Sequence, residues 1–265
     1  MRTERAVGVF DSGVGGLSVL SRIRKHLPAE HLLYVADSAY MPYGCKTAEE
    51  VKQRCLLISD FLLDKGIKAL VMACNTATSV AVLTLRDELD IPVIGMEPPV
   101  KPAVFSSKAG VVGVLATSGT LNSEKFNHLK SRFAVQAELI VQPCPGLVEL
   151  IEQGDLQTDQ IRNLLASCLQ PLLDKGVDTL VLGCTHYPFV LPLIRQIAGD
   201  GICIVDTGDA IARELKRQLH SYHLVSENQH GGSVQFWSTG EVAIVQPVMS
   251  RLWGERLDLS SLDLS

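Results

Sequence analysis

The sequence predicts an α/β protein of two pseudo-symmetric domains, each a mostly parallel sheet flanked by helices, with the active site in the cleft between them. Three observations lead there. Short apolar runs alternate with stretches of helical periodicity along the chain, the pattern of βαβ units. The stretch DKGIKALVMACNTAT, residues 64–78, returns as DKGVDTLVLGCTHYP, residues 174–188. Aligned without a gap, Leu70-Val71 falls on Leu180-Val181 and Cys74 on Cys184, so one supersecondary unit is used twice. VGVFDSGVG, from Val7, is mirrored by VGVLATSGT, from Val112, which extends the repeat to the first strand and loop of each copy. The expected domains are 1–97 plus 206–265, and 98–205.

Residues 6–10 form the first apolar run, read as a strand. The tight loop Asp11-Ser12-Gly13-Val14-Gly15-Gly16 follows, then a helix over about 17–26. A second strand, 32–36, ends at Asp37, and 38–46 is a loop containing Pro42-Tyr43-Gly44. Thr47 with Glu50 makes a capping box. The helix it starts carries Val51, Cys55, Ile58 and Leu62 on one face, and Gly66 suits its C-terminal cap. Strand 69–73 leads into Cys74, a helix spans about 76–89, and 93–95 is another strand. Three prolines within 97–102 predict a linker, because each lacks an N–H and fixes φ. The second unit then gives strand 111–115, a helix over about 122–132 and strand 138–141. The run 147–151 leads to Glu152, and a helix over 158–175 is expected to kink at Pro171. Strand 179–182 reaches Cys184, and Pro188 fits the first turn of a helix after it. Strand 202–205, helix 207–221, strand 234–237 and helix 241–252 complete the chain, the C-terminal part returning to the first domain.

The 265 residues are 46% hydrophobic and 20% charged, enough for a substantial core and against disorder. A net charge of −5 without runs of Lys or Arg argues against nucleic acid as the main partner. No apolar run reaches the roughly 18–20 residues of a membrane span, and the N-terminus has no secretory h-region. A cytoplasmic location with no membrane partner is expected. The seven cysteines are odd in number, widely spaced and without a CxxC pair, so neither a disulfide framework nor a metal site is expected. Cys55 and Cys168 read as core, Cys144 and Cys203 as packing, and Cys45 as exposed with no assigned role.

Cys74 and Cys184 read differently. Each ends a strand, where open α/β sheets place their sites, and each is expected just before a helix N-terminus, where the dipole and unpaired N–H groups stabilise a thiolate near neutral pH. Asn75 and Thr76 follow one, Thr185 and His186 the other, all donors suited to an anionic ligand. Asp11-Ser12 ends the strand beside Cys74 and can take its proton or position an ammonium group, while His186 and Glu152 can serve Cys184. With two facing halves, one thiol removes a proton from a carbon and the other returns one to the opposite face. That chemistry requires no metal, pyridoxal phosphate or nucleotide.

The loop from Phe10 to Gly16, Cys74-Asn75-Thr76-Ala77, and Gly183-Cys184-Thr185-His186-Tyr187-Pro188 resemble the aspartate/glutamate racemase family, its bacterial glutamate racemases in particular. Pro42-Tyr43-Gly44 and the Glu152 region also match, and the resemblance runs from Val7 to about Asp206. It implies cofactor-independent interconversion of L- and D-glutamate, supplying D-glutamate for peptidoglycan, by a homodimer. By position, Cys74 would be the base for the D-enantiomer and Cys184 for the L-enantiomer, with Asp11, Glu152 and His186 assisting. Asp11, Ser12, Tyr43, Gly44, Asn75, Thr76, Thr185 and His186 would bind substrate. The short N-terminus lacks the extension of some relatives, which argues against an activator-dependent form.

Alternatives share parts of this pattern. A two-cysteine racemase acting on aspartate or a hydantoin would keep the thiols and change the cleft. A non-catalytic amino-acid-binding protein would explain the donors but not the paired thiols. Gly13-Val14-Gly15 after a strand loosely resembles a dinucleotide loop, but the third glycine would fall at Ser18.

Overall fold

The structure, a computed structural model, describes residues 2–264. Its first sheet contains β1 (Val7–Asp11), β2 (Leu32–Ala36), β3 (Ala69–Met72) and β4 (Val93–Ile94). The second contains β5 (Val111–Ala116), β6 (Glu138–Pro143), β7 (Thr179–Leu182) and β8 (Cys203–Val205). Both follow one plan: β2-β1-β3-β4 and β6-β5-β7-β8, every pair parallel. The C-terminal β9 (Val234–Ser238) and β10 (Leu259–Ser261) extend the first sheet beyond β2, also parallel.

The repeat is visible in packing. Gly8 pairs with Leu70, and Gly113 with Leu180. A Cβ on Gly8 would meet Ile67 and Leu62 at 3.0–3.2 Å, and one on Gly113 would meet Leu172 and Val177 at 3.1 Å. Leu172 and Val177 are the repeat counterparts of Leu62 and Ile67. Each glycine lets the same helix-to-strand corner close on the central strand.

Alternation along the strands divides each core into two layers. Val7 and Val9 face α1 (Leu17–His26) and α10 (Gly208–Ser221), while Phe10 and Met72 face α2 (Ala48–Asp64) and α3 (Asn75–Glu88). Thr47 closes the predicted capping box on α2, and Cys55 lies in that layer.

Several boundaries differ from expectation. The proline-rich stretch is not all linker, because Val100–Ser106 forms α4. Pro102 sits in its first turn, where a missing N–H leaves nothing unpaired. The helix predicted over 122–132 is α6 (Glu124–Phe133), capped by Ser123, and an unexpected short helix, α5 (Ser118–Leu121), precedes it. Leu147–Glu152 is a short helix, α7, and α8 (Asp159–Leu173) holds Pro171 in its last turn. After α9 (Leu191–Ala198) and α10, α11 (Val242–Trp253) packs against β10.

Cys203, read as packing, is exposed on β8, and Cys144 and Cys168 form a disulfide where none is expected. Both are buried in one core layer, as packing residues would be. The bridge ties the segment before α7 to α8, two elements that the 24-residue separation does not reveal. Among the described residues no helix is long and apolar enough to cross a membrane.

Candidate active site

Because β1 and β3 are adjacent and parallel, their carboxyl ends lie side by side: Phe10 pairs with Met72, and Ala73 N–H donates to the Phe10 carbonyl at 2.7 Å. Asp11 is the last residue of β1, and Cys74 is the N-cap of α3. The sulfur of Cys74 accepts the Ala77 N–H at 3.4 Å and lies 3.9 Å from Ser12 Oγ. Ser12 Oγ donates in turn to Asp11 Oδ1 at 3.4 Å. The other oxygen of Asp11 accepts Gly16 N–H at 2.7 Å and Thr185 Oγ1 at 3.4 Å.

Burial raises the Asp11 pKa, against the lowering pull of the His186 charge. Burial, and then the Asp11 charge, push the Cys74 thiol well above its ordinary value. This corrects the expectation of a ready thiolate at Cys74. The helix terminus supplies one amide hydrogen bond, and desolvation outweighs it.

Cys184 has different surroundings. No α-helix begins beside it: a 3-10 turn, Tyr187–Val190, intervenes and α9 starts only at Leu191. Pro188 and Pro192 lack N–H groups that a continuous helix would use, which leaves short-range turns. The partner of Cys184 is instead His186, with Nδ1 3.6 Å from Sγ. His186 Nε2 lies 2.7 Å from Glu152 Oε1, which also accepts the Val14 N–H at 2.7 Å. Burial works against charge on the imidazole, but hydrogen bonds to Cys184 and Glu152 outweigh it and hold its pKa well above the ordinary value.

Both thiols line one cavity of about 20 Å³, together with Ser12, Tyr43, Gly44, Asn75, Thr76, Thr185 and His186. Asp11 stands behind Ser12, and Glu152 behind His186. Asn75 contributes a buried amide with neither end hydrogen-bonded. A larger cleft of about 730 Å³, between α3 and α6, shares Tyr43 and Thr76 with this cavity.

The family model described as Asp/Glu/Hydantoin racemase matches residues 7–215. The chain belongs to that family. It is 52% identical over 256 residues to the glutamate racemase of Ectopseudomonas mendocina, covering 96% of this chain and 97% of that protein. The glutamate racemase isoform RacE1 from Bacillus anthracis superposes with a TM-score of 0.90 at 32% identity, covering 99% of this chain and 98% of that one. The Escherichia coli glutamate racemase in complex with L-glutamate and activator UDP-MurNAc-ala gives 0.86 at 34% identity, covering 97% and 98%.

In this Asp/Glu/hydantoin racemase the glycine loop holds the site together. A Cβ on Gly13 would lie 1.9 Å from Glu152 Oε1, and one on Gly15 would lie 2.3 Å from His186 Nδ1. The space beside this loop is filled by Glu152, at the end of α7, and by His186. Val148 and two polar lining residues escaped the sequence reading. Thr117 and Thr120 hydrogen-bond each other at 3.1 Å and both reach Thr76 Oγ1 at 3.2 Å. The signal was available, because Thr117 falls on Ser12 when VGVLATSGT is laid on VGVFDSGVG.

Proposed function

We propose that this protein is a glutamate racemase in which one cysteine removes the α-proton and a second donates its own to the opposite face, without a cofactor. The observation that carries the reading is the pair of strand-end thiols, Cys74 and Cys184, one from each sheet, in the wall of one cavity. The family membership and the 52% identity to a glutamate racemase support the substrate.

In the L-to-D direction, Cys184 begins as the thiolate beside the His186 imidazolium, the partner a sulfur anion needs. It takes the α-proton of L-glutamate, and the Cys74 thiol donates its proton to the opposite face. The elevated pKa of Cys74 suits it to hold that proton at rest. In the reverse direction Cys74 is the base, and Asp11, whose pKa burial raises, can accept its proton through Ser12. Asn75, Thr76, Thr185 and Ser12 offer donors and acceptors to the α-carboxylate and ammonium, and Tyr43–Gly44 forms one wall. The enzyme would act in the cytoplasm, as a homodimer, and supply D-glutamate for peptidoglycan. The repeat supports two units, 1–97 with 206–265 and 98–205, closing on the substrate.

The test incubates the purified protein with each enantiomer of glutamate and aspartate in D₂O without cofactor, following optical rotation and α-deuterium uptake. Racemisation and exchange are expected with glutamate. Exchange with aspartate alone would move the assignment to that substrate, and no exchange with either would end the two-thiol reading. Replacing Cys74 or Cys184 with Ala is expected to lower kcat by roughly 10²–10⁴-fold, whereas an amino-acid-binding protein would keep its ligand affinity.

A further inference from the structure

Residues after about 225 carry no motif, yet they reach the wall of the cavity through one buried carboxylate. Asp37 follows β2 and is fully buried. Its Oδ2 accepts Tyr43 Oη at 2.6 Å and Arg54 Nε at 3.0 Å, and its Oδ1 accepts Arg54 Nη2 at 2.9 Å and Thr239 Oγ1 at 2.8 Å. Arg54 lies on α2, also buried, and its Nη1 donates to the Leu264 carbonyl at 3.1 Å. Thr239 follows β9, and its N–H donates to the Ala36 carbonyl at 3.1 Å. One anion therefore joins the start of the 37–46 loop, α2, the end of β9 and the C-terminal tail to the phenol of Tyr43.

A buried ion pair is seldom justified by stability alone, because desolvation offsets most of its attraction. A bidentate fork with two added hydroxyls fixes geometry closely. What it fixes here is the Tyr43–Gly44 segment. We propose that Asp37, Arg54 and Thr239 are positioning residues for this wall, and that the C-terminal segment thereby helps set substrate affinity. The inference rests on the two-thiol reading of the cavity. Gly44 shows how a displacement would travel. A Cβ on Gly119 would lie 3.0 Å from Gly44 Cα, and one on Gly44 would lie 3.1 Å from Thr117. Movement of Tyr43–Gly44 by a few tenths of an ångström therefore reaches the Thr76–Thr117–Thr120 hydroxyl cluster. Neither thiol hydrogen-bonds to Asp37, Arg54 or Thr239, so binding is affected before proton transfer.

Thr239→Val keeps the shape nearly constant and removes both the donor to Asp37 and the acceptor of the Ala39 N–H, which Thr239 Oγ1 holds at 3.1 Å in the same loop. The expected result is a KM for both glutamate enantiomers raised roughly 5–10-fold, with kcat within about twofold of wild type. Thr239→Ser restores KM, and Arg54→Lys, which keeps the charge and loses the fork, raises it. A purely structural role would lower Tm or the active fraction and leave KM alone, and unchanged KM in Thr239→Val overturns the proposal. Amide hydrogen exchange over 40–46 is read in the same proteins without substrate and is expected to be faster in Thr239→Val and Arg54→Lys. Faster exchange in a chain whose wild type does not racemise glutamate would leave the positioning role intact and remove the reaction. Unchanged exchange would remove the positioning role.

Discussion

His186 keeps its proton against the cost of burial, and that has a measurable consequence for stability. A raised folded-state pKa means that the folded protein binds this proton more tightly than the unfolded chain. The stability gained is fully present below the unfolded value of about 6.5 and is lost as pH rises through the folded value. His186→Gln is therefore expected to cost most near pH 6 and progressively less toward alkaline pH, measured as urea unfolding free energies. A gap that stays constant with pH would contradict the charged imidazole. Cys74 offers a second test at this scale. Its thiol is shifted upward by burial and the Asp11 charge, so in a Cys184→Ala variant its alkylation by iodoacetamide should still be climbing above pH 9. Peptide mass spectrometry separates Cys74 from the exposed Cys45 and Cys203. Levelling-off at an ordinary thiol pKa near 8.5 would refute the shift.

The loop of residues 12–16 is where element-scale packing and chemistry meet. Gly13→Ala and Gly15→Ala drive a methyl into Glu152 and His186. Displacing either group by about 1 Å is expected to lower kcat/KM by roughly 10²-fold. Gly66, at φ +75 with no atom within 4 Å of an added Cβ, is the control. Gly66→Ala should cost about 1 kcal/mol of left-handed strain, with activity unchanged. Comparable activity loss at all three sites would mean that the loop matters only for folding. At this scale the repeat made most strands legible, since β1, β3, β5 and β7 are apolar runs that end at Asp11, Cys74, Thr117 and Cys184 within two residues. What escaped has physical reasons. Prolines at 98, 99 and 102 hid α4, because a first turn tolerates what a helix interior does not. A three-residue edge strand such as β10 has too little alternation to be read. The Cys144–Cys168 pair forms through tertiary proximity alone. A lone threonine after a strand, such as Thr117, reads as a turn, and only its repeat copy Ser12, 3.9 Å from the Cys74 sulfur, marks it as a site residue.

For the molecule as a whole, a cavity of about 20 Å³ holds roughly one water, far less than an amino acid needs. On the proposed reaction, admitting glutamate would require the walls of this cavity to part. The contacts that would give include Ser18 Oγ to the Thr185 carbonyl at 2.8 Å, Val14 N–H to Glu152, Thr185 Oγ1 to Asp11, Arg251 to the Gly154 carbonyl, and Thr76 to Thr117 and Thr120. Saturating L- or D-glutamate is expected to slow amide exchange over 117–121, whereas NAD should leave it unchanged. On the proposed reaction, the different company of the two sulfurs then acquires a meaning beyond geometry. L- and D-glutamate have equal free energies in water, so kcat/KM must be equal in the two directions for the native protein and for every variant. Unlike neighbours cannot bias the equilibrium. They act between turnovers, because the free protein that has released D-glutamate holds its proton on a different sulfur from the one that has released L-glutamate. Until solvent exchange resets that proton, the chain carries a one-bit record of the last hand it made.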